Sequence, residues 1–301
     1  MKLLSLSHDE IRKRLKGAGL SFNIGFSTVC LKSKFSNVAD GVLQFYGHYP
    51  LAAPNDFVDF YVTLDSTFLR RWFRPQVNFS FDGFYPFKPL PQNQAFAMFE
   101  WGFNWVVAQH AHQYLIVHAA VVEKNNKALI FPGTPGSGKS TLCSGLVSKG
   151  WRLLSDEMAL IEINTGLLQP IPRPISLKNQ SIEIIREFAP KFVIGEPVED
   201  TAKGTVAHVR APENSVVSSK NKVYPFAVIF PKYKDSAETE LTQISQGVGF
   251  MKLAENSFNY SVLGKSGFNT LGDVIDRCDC YEFNYSKLPD AISLFDSMVS
   301  E

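Results

Sequence analysis

The spacing of apolar and polar positions changes character along the chain. Behind Ser7-His8-Asp9-Glu10, Ile11 and Leu15 recur at helical spacing, and the Ser and Glu three apart form a capping box. This predicts a short helix that ends near Gly17 or Gly19. From Leu20 to about Lys88, short β-prone runs (Ser21 to Ile24, Thr28 to Leu31, Phe57 to Leu64, Val77 to Phe81) alternate with Gly, Pro, Asn and Asp, the texture of a small, mainly β unit. Pro89 to Pro91 reads as a boundary. Gln92 to Tyr114 then carries Phe96, Met98, Phe99, Phe103, Trp105 and Val106 with few breakers, which predicts a long helix packed on both its neighbours.

The remainder alternates strand and helix signals. Tyr114 to Val122 is apolar almost throughout and reads as one strand buried on both faces. Asn125-Asn126 turns it into a second strand, Lys127 to Phe131. A helix from Ser140 to Lys149 stops at Gly150, and Trp151 to Ser155 is the next strand. Met158 to Ile163 and Leu167 to Gln169 flank Asn164-Thr165-Gly166 as a hairpin, a helix spans Gln180 to Phe188, and residues 194–220 read as a loop. Strands follow at Val223 to Phe230, Glu238 to Ile244 and Tyr281 to Tyr285, with helices near Gln246 to Asn256 and Asn269 to Asp276. A last helix opens at Pro289 with Ile292, Phe295 and Val299 on one side. The expectation is a small α+β domain over residues 1–90 and a larger α/β domain over 91–301.

Composition narrows the partners. The 301 residues carry a net charge of +1 with Lys and Arg spread along the chain, so no electrostatic footprint for nucleic acid or a membrane surface is present. No apolar run reaches the 18 or so residues of a membrane helix, and Met1 to Ser7 is too short for a signal peptide. Cys30, Cys143, Cys278 and Cys280 have no metal-site spacing and read as reduced thiols, so the cytoplasm is the expected location.

One stretch carries chemistry plainly. Gly133-Thr134-Pro135-Gly136-Ser137-Gly138-Lys139-Ser140-Thr141 fits GxxxxGK[ST], follows a predicted strand and opens a predicted helix. Glycines admit φ > 0 and close approach, so backbone N–H groups converge on phosphate oxygens while the helix adds its positive end. Lys139 would reach the β and γ phosphates of ATP and the Ser140 hydroxyl would hold Mg²⁺. Asp156-Glu157 stands at the carboxyl end of the next strand, 17 residues after Lys139, where ligands of open α/β sheets sit. The prolines of Pro170 to Pro174 hold an extended course that leaves Arg173 and Lys178 to meet phosphates. His208 and Arg210, in the long loop, are candidates for contact with a substrate or transition state. Glu100, His110 and His112 read as surface groups, because the two histidines do not share a helical face. By itself, His118 reads as a core histidine.

These residues carry a resemblance. Leu115-Ile116-Val117-His118-Ala119-Ala120, the phosphate loop and Gly150-Trp151-Arg152-Leu153-Leu154-Ser155-Asp156-Glu157 resemble the catalytic domain of HPr kinase/phosphorylase. The block from Glu100-Trp101-Gly102 to Arg210, with Pro172-Arg173-Pro174-Ile175-Ser176-Leu177-Lys178-Asn179, is similar to the HPr-kinase-related kinase A subfamily. The resemblance implies a fold related to phosphoenolpyruvate carboxykinase, with ATP and Mg²⁺ on the loop. It assigns phosphate to Lys139, metal to Ser140 and Glu157, the base that deprotonates the substrate hydroxyl to Asp156, and to His118 a contact that tunes Asp156. Arg173 and Arg210 join them as candidate catalytic groups, and a homo-oligomer is common in the family. The family's acidic pair is Asp-Asp where this chain has Asp156-Glu157, and Gly204 to His208 occupies the place of the family's glycine-rich signature. The expected activity is transfer of the γ-phosphate to a hydroxyl of a peptide, protein or small molecule. The alternative is a regulatory or assembly protein that binds ATP and transfers nothing.

Overall fold

Ser7 caps the first helix, His8–Lys16, its hydroxyl accepting from the Glu10 N–H at 3.2 Å. In the computed structural model, which describes residues 1–66 and 75–300, that helix leads into a five-stranded sheet. Its order is Leu20–Asn23, Thr28–Ser33, Phe60–Asp65, Gln76–Phe81, Leu90–Pro91, and the second and third strands run parallel. A parallel pair cannot be joined by a tight turn. Helix Ser36–Tyr46 supplies the crossover, an element that the β-like texture of this region hid. It buries Val38, Val42, Phe45 and Tyr46, a helical spacing interrupted in sequence by Gly41. That glycine permits close packing, since a Cβ there would lie 2.2 Å from the Phe96 ring.

Helix Ala95–His110 forms the join between the two halves. On one side Phe103 meets Phe60 at 5.8 Å between ring centroids, and Phe99 meets Tyr46 at 5.9 Å. On the other, Glu100 and Phe103 face Arg173, whose guanidinium lies 4.8 Å from the Phe103 ring. The hydrophobic core runs from Leu3 through this helix to Val299 without a seam.

The second half is built on a six-stranded mixed sheet. Its order is Glu240–Ile244, Asp279–Tyr285, Pro225–Tyr233, Lys127–Pro132, Ala119–Lys124, Arg152–Ser155. Lys127–Pro132, Pro225–Tyr233 and Asp279–Tyr285 run parallel, while Ala119–Lys124 is antiparallel to both its neighbours. Side chains alternate between faces as a strand requires. Leu129 and Phe131 join the core with Leu142, Leu146 and Phe295, whereas Ala128 and Ile130 join a second cluster with Leu253, Leu271 and Val274. Both faces are therefore covered by helices, which explains the unbroken apolar runs.

Two expectations are corrected here. Tyr114 to Val122 is not one strand: Tyr114–Val117 pairs with Ala159–Glu162 in a separate three-stranded sheet, Ala119–Lys124 belongs to the six-stranded one, and His118 is the break. Composition hid the break because both pieces are buried. Residues 194–220 are not a loop: Val198–Thr201 pairs with Gly204–Val209, which pairs with Ile175–Lys178, and Glu213–Val217 is a helix. Short strands of this kind draw their stability from pairing partners far along the chain, which periodicity does not report.

The Glu100 and Arg173 readings are corrected as well. Both are buried and form an ion pair at 2.6 Å. Arg173 also donates to the Glu100 carbonyl, to Asn104 and to the Tyr46 hydroxyl, and Tyr46 donates to Glu100 at 2.6 Å. Its donors are taken up in holding the halves together rather than offered to phosphate. His208 is equally internal, with its ring between Phe45 and Phe96 at centroid distances of 6.0 and 5.5 Å. Burial and then the Arg173 charge push its pKa down to about 3. Cys30, Cys143, Cys278 and Cys280 are buried and unpaired, and among the described residues no helix is long and apolar enough to cross a membrane.

Removing one member of a buried pair strands the other charge. Glu100→Ala is expected to lower the unfolding free energy by about 3–5 kcal/mol in urea titration. His208 gives a pH prediction. Its folded pKa lies below the unfolded value of 6.5, so the unfolded chain binds the extra proton as pH falls. Stability from a neutral His208 is complete above pH 6.5 and lost toward pH 3, by up to about 1.4 kcal/mol per pH unit. Urea unfolding between pH 7 and 5 is expected to show a shallower loss for His208→Leu than for the wild type.

Candidate functional site

The strand Lys127–Pro132 ends in Gly133 to Gly138, and helix Lys139–Ser148 opens behind it. Gly136 and Gly138 adopt φ of +90° and +92°, which an L side chain resists. Gly138 has a second constraint: a Cβ there would lie 2.4 Å from the Tyr285 hydroxyl, which donates to the Gly138 carbonyl at 2.9 Å. The loop is thus clamped from the far strand Asp279–Tyr285, and the Tyr233 N–H donates to the Ser137 carbonyl at 3.0 Å. The unsatisfied N–H groups of the helix's first turn face a cleft of about 660 Å³, a size that suits a nucleotide.

Lys139, Ser140, Asp156 and Glu157 line this cleft together with His118. The Ser140 hydroxyl donates to Asp156 Oδ2 at 3.1 Å, and the Ser176 N–H donates to the same oxygen at 3.0 Å. Asp156 Oδ1 is buried and has no protein partner. Burial, then the adjacent Glu157 charge, raises the Asp156 pKa to about 7, against the pull of the Ser176 N–H, Ser140 and Lys139. A carboxyl poised near neutrality in a cleft is the ordinary setting of an acid–base group.

His118 does not meet Asp156, contrary to the role that the resemblance implied. Its Nε2 lies 3.1 Å from Lys139 Nζ, and its Nδ1 lies 3.1 Å from the Glu157 carbonyl and 3.7 Å from Glu157 Oε2. An ammonium only donates, so Nε2 accepts and the ring proton sits on Nδ1, which donates to the carbonyl. Burial first, then the Lys139 charge, lowers the His118 pKa and keeps the ring neutral. Lys139 also donates to the carbonyls of Gly133 and Thr134, and its own pKa is lowered by burial.

Of the remaining candidates, Arg210 lies away from the cleft. Its backbone N–H donates to the Val193 carbonyl, and its charge bears on His48 and Glu213. The cations that line the cleft beyond the phosphate loop are Lys178 and Lys203. Lys203, with Tyr233 and Tyr285, was missed by motif reading. Lys203 sits in the turn between two strands that read as loop, and the tyrosines come from strands without a motif. Behind Asp156 lies a cavity of about 20 Å³, lined also by Ser176 and His208. Ser176 Oγ and His208 Nε2 are buried without protein partners, and the space suffices for one water.

The oxygen donors suit a hard cation. Among the described residues no group of three His, Cys, Asp or Glu side chains forms a closed metal cage. Mg²⁺ fits that pattern, since it takes one or two carboxylates and completes its shell with water and substrate phosphates.

Comparison with protein-family models found no match, and neither did comparison with curated proteins. Among solved structures the chain is similar to the HPr(Ser) kinase/phosphatase from Coxiella burnetii, at 11% identity over 62% of this chain and 93% of that one, with a TM-score of 0.29. A likeness of that degree is distant and assigns neither family nor activity.

Proposed function

We propose that the chain is a cytoplasmic, ATP- and Mg²⁺-dependent kinase of the HPr-kinase-like type that transfers the γ-phosphate to a hydroxyl on a peptide, protein or small molecule. The observation that carries this reading is the junction of Ser140, Asp156 and Ser176. It sets a carboxyl with a pKa near neutrality one hydrogen bond from the residue at the mouth of the phosphate loop. The loop's N–H groups and Lys139 would take the phosphates of ATP. Bound through Ser140 and Glu157, Mg²⁺ would supply charge neutralisation at the phosphate oxygens.

Asp156 accepts the proton of the acceptor hydroxyl while that oxygen bonds to the γ-phosphorus and the bond to the β-phosphate oxygen breaks, leaving ADP. Neutral His118 holds Lys139 from one side and the Glu157 backbone from the other, which fixes the ammonium across from the acidic pair. Catalysis then rests on positioning and charge, as expected for phosphoryl transfer. The second reading, an ATP-dependent regulatory or assembly protein without transfer, is favoured by one observation. Asp156 bonds Ser140 and Ser176 instead of His118.

Incubation with γ-labelled ATP and a lysate of the source organism separates the two: label on an acceptor supports the kinase, and nucleotide binding with no labelled product supports the binder. Lys139→Ala is expected to abolish ATP binding in equilibrium titration. Asp156→Asn is expected to retain binding and lose transfer by roughly 10²–10⁴-fold. The same variant has a stability signature. A folded pKa above the unfolded one means that stability is lost as pH rises from 3.8 to about 7 and stays lost above that. Asp156→Asn is therefore expected to unfold at higher urea than the wild type at pH 8, by about 1 kcal/mol or more.

A further inference from the structure

Asp156 Oδ2 is held from two sides. Ser140 belongs to the phosphate loop and its helix, and Ser176 belongs to the strand Ile175–Lys178, which leads into a different helix, Gln180–Phe188. On this second side the cleft is lined by Ser176, Lys178, Gln180, Ser181 and Lys203.

The second wall has the makings of an anion site. Neither Lys178 nor Lys203 forms an ion pair among the described residues; Lys203 lies over the Trp101 ring at 5.1 Å, and burial first, against the pull of the Glu157 charge, then Lys178, lowers its pKa. Lys139, Lys178 and Lys203 outnumber the two carboxyl groups of the cleft, Asp156 and Glu157, so a further anion joins them favourably. The Lys178 backbone is fixed by Ser181, whose hydroxyl accepts from the Lys178 N–H at 2.8 Å and donates to its carbonyl at 2.6 Å. Asn179, the residue before the helix, gives its side chain to the Thr205 N–H rather than to the helix's first turn. The helix's leading N–H groups thus remain free of a side-chain cap, beside Gln180 and Ser181 in the cleft wall.

Resting on the kinase reading, we infer that the phosphoacceptor is itself anionic, with a phosphate or carboxylate group near its reactive hydroxyl that seats on Lys178, Lys203 and the start of helix Gln180–Phe188. The phosphate loop and Lys139 serve the nucleotide on one side of Asp156. The second set lies on the other side, within reach of a molecule whose hydroxyl faces that carboxyl. The anionic group orients the hydroxyl and favours charged acceptors over neutral alcohols, which form no ion pair with Lys178.

The test uses inorganic phosphate and malonate as probes, titrated by calorimetry into the full chain saturated with Mg²⁺ and a non-hydrolysable ATP analogue. One of the two is expected to bind while the analogue stays in place; phosphate marks a phosphorylated acceptor and malonate a carboxylated one. The double variant Lys178→Met, Lys203→Met keeps the aliphatic stems, and is expected to weaken that binding at least tenfold while analogue affinity shifts less than threefold. Probe binding that the analogue abolishes, or a double variant that loses analogue and probe alike, assigns these lysines to the nucleotide and overturns the inference. A chain that binds probe through Lys178 and Lys203 but takes no analogue keeps the anion site and removes the kinase reading. A chain that takes the analogue and neither probe does the reverse.

Discussion

A single buried carboxyl organises the second half of this molecule. Asp156 Oδ2 accepts from Ser140 at the head of the phosphate-loop helix and from the Ser176 N–H on a strand of another sheet. Three elements remote in sequence are thereby held at one point. Because Asp156 is buried beside Glu157 with no ion pair, its pKa rises, and the protein retains a group that titrates near neutrality. Such an arrangement opposes stability above the unfolded pKa of the carboxyl.

The break at His118 is the second constraint. Leaving one sheet for another in the middle of an apolar run turns the histidine out of the core and into contact with Lys139 and the Glu157 backbone. A cation, a neutral ring and an acidic turn then share one side of the cleft. The neutral ring accepts from the ammonium without adding a like charge beside it.

The N-terminal half is fastened by polar chemistry inside an apolar seam. Glu100 and Arg173 bond each other with Tyr46 and Asn104 around them, and the Tyr49 hydroxyl donates to the Pro172 carbonyl. Burying two charges is tolerated because every strong donor is used. Since Arg173 lies three residues before Ser176 in sequence, the same network steadies the strand that grips Asp156. The first half therefore contributes to the site although, among the described residues, it lends the cleft no side chain of its own.

Local chemistry made part of this legible. Gly133 to Thr141, the Ser7 cap and the hairpin around Asn164-Thr165-Gly166 are set by turn geometry and near neighbours, so their residues announce them. Asp156 and Glu157 were placed by their position at a strand's end, which also depends on short spacing. Arg173, Glu100, Arg210 and His118 were misread because a charged or aromatic side chain looks the same in sequence whether it meets solvent, a ligand or a buried counter-charge. Helix Ser36–Tyr46 and the strands within residues 194–220 escaped for a related reason: their stability comes from contacts with Phe96 and with Ile175–Lys178. Where the glycine turn leads a strand into a helix, and which acids follow it, was readable from residue order alone, since those depend on backbone freedom and a spacing of a few residues. Which charges face the cleft and which are neutralised inside emerged from the fold, because burial and counter-charges come from segments apart in the chain, as Glu100 and Arg173 meet across 73 positions.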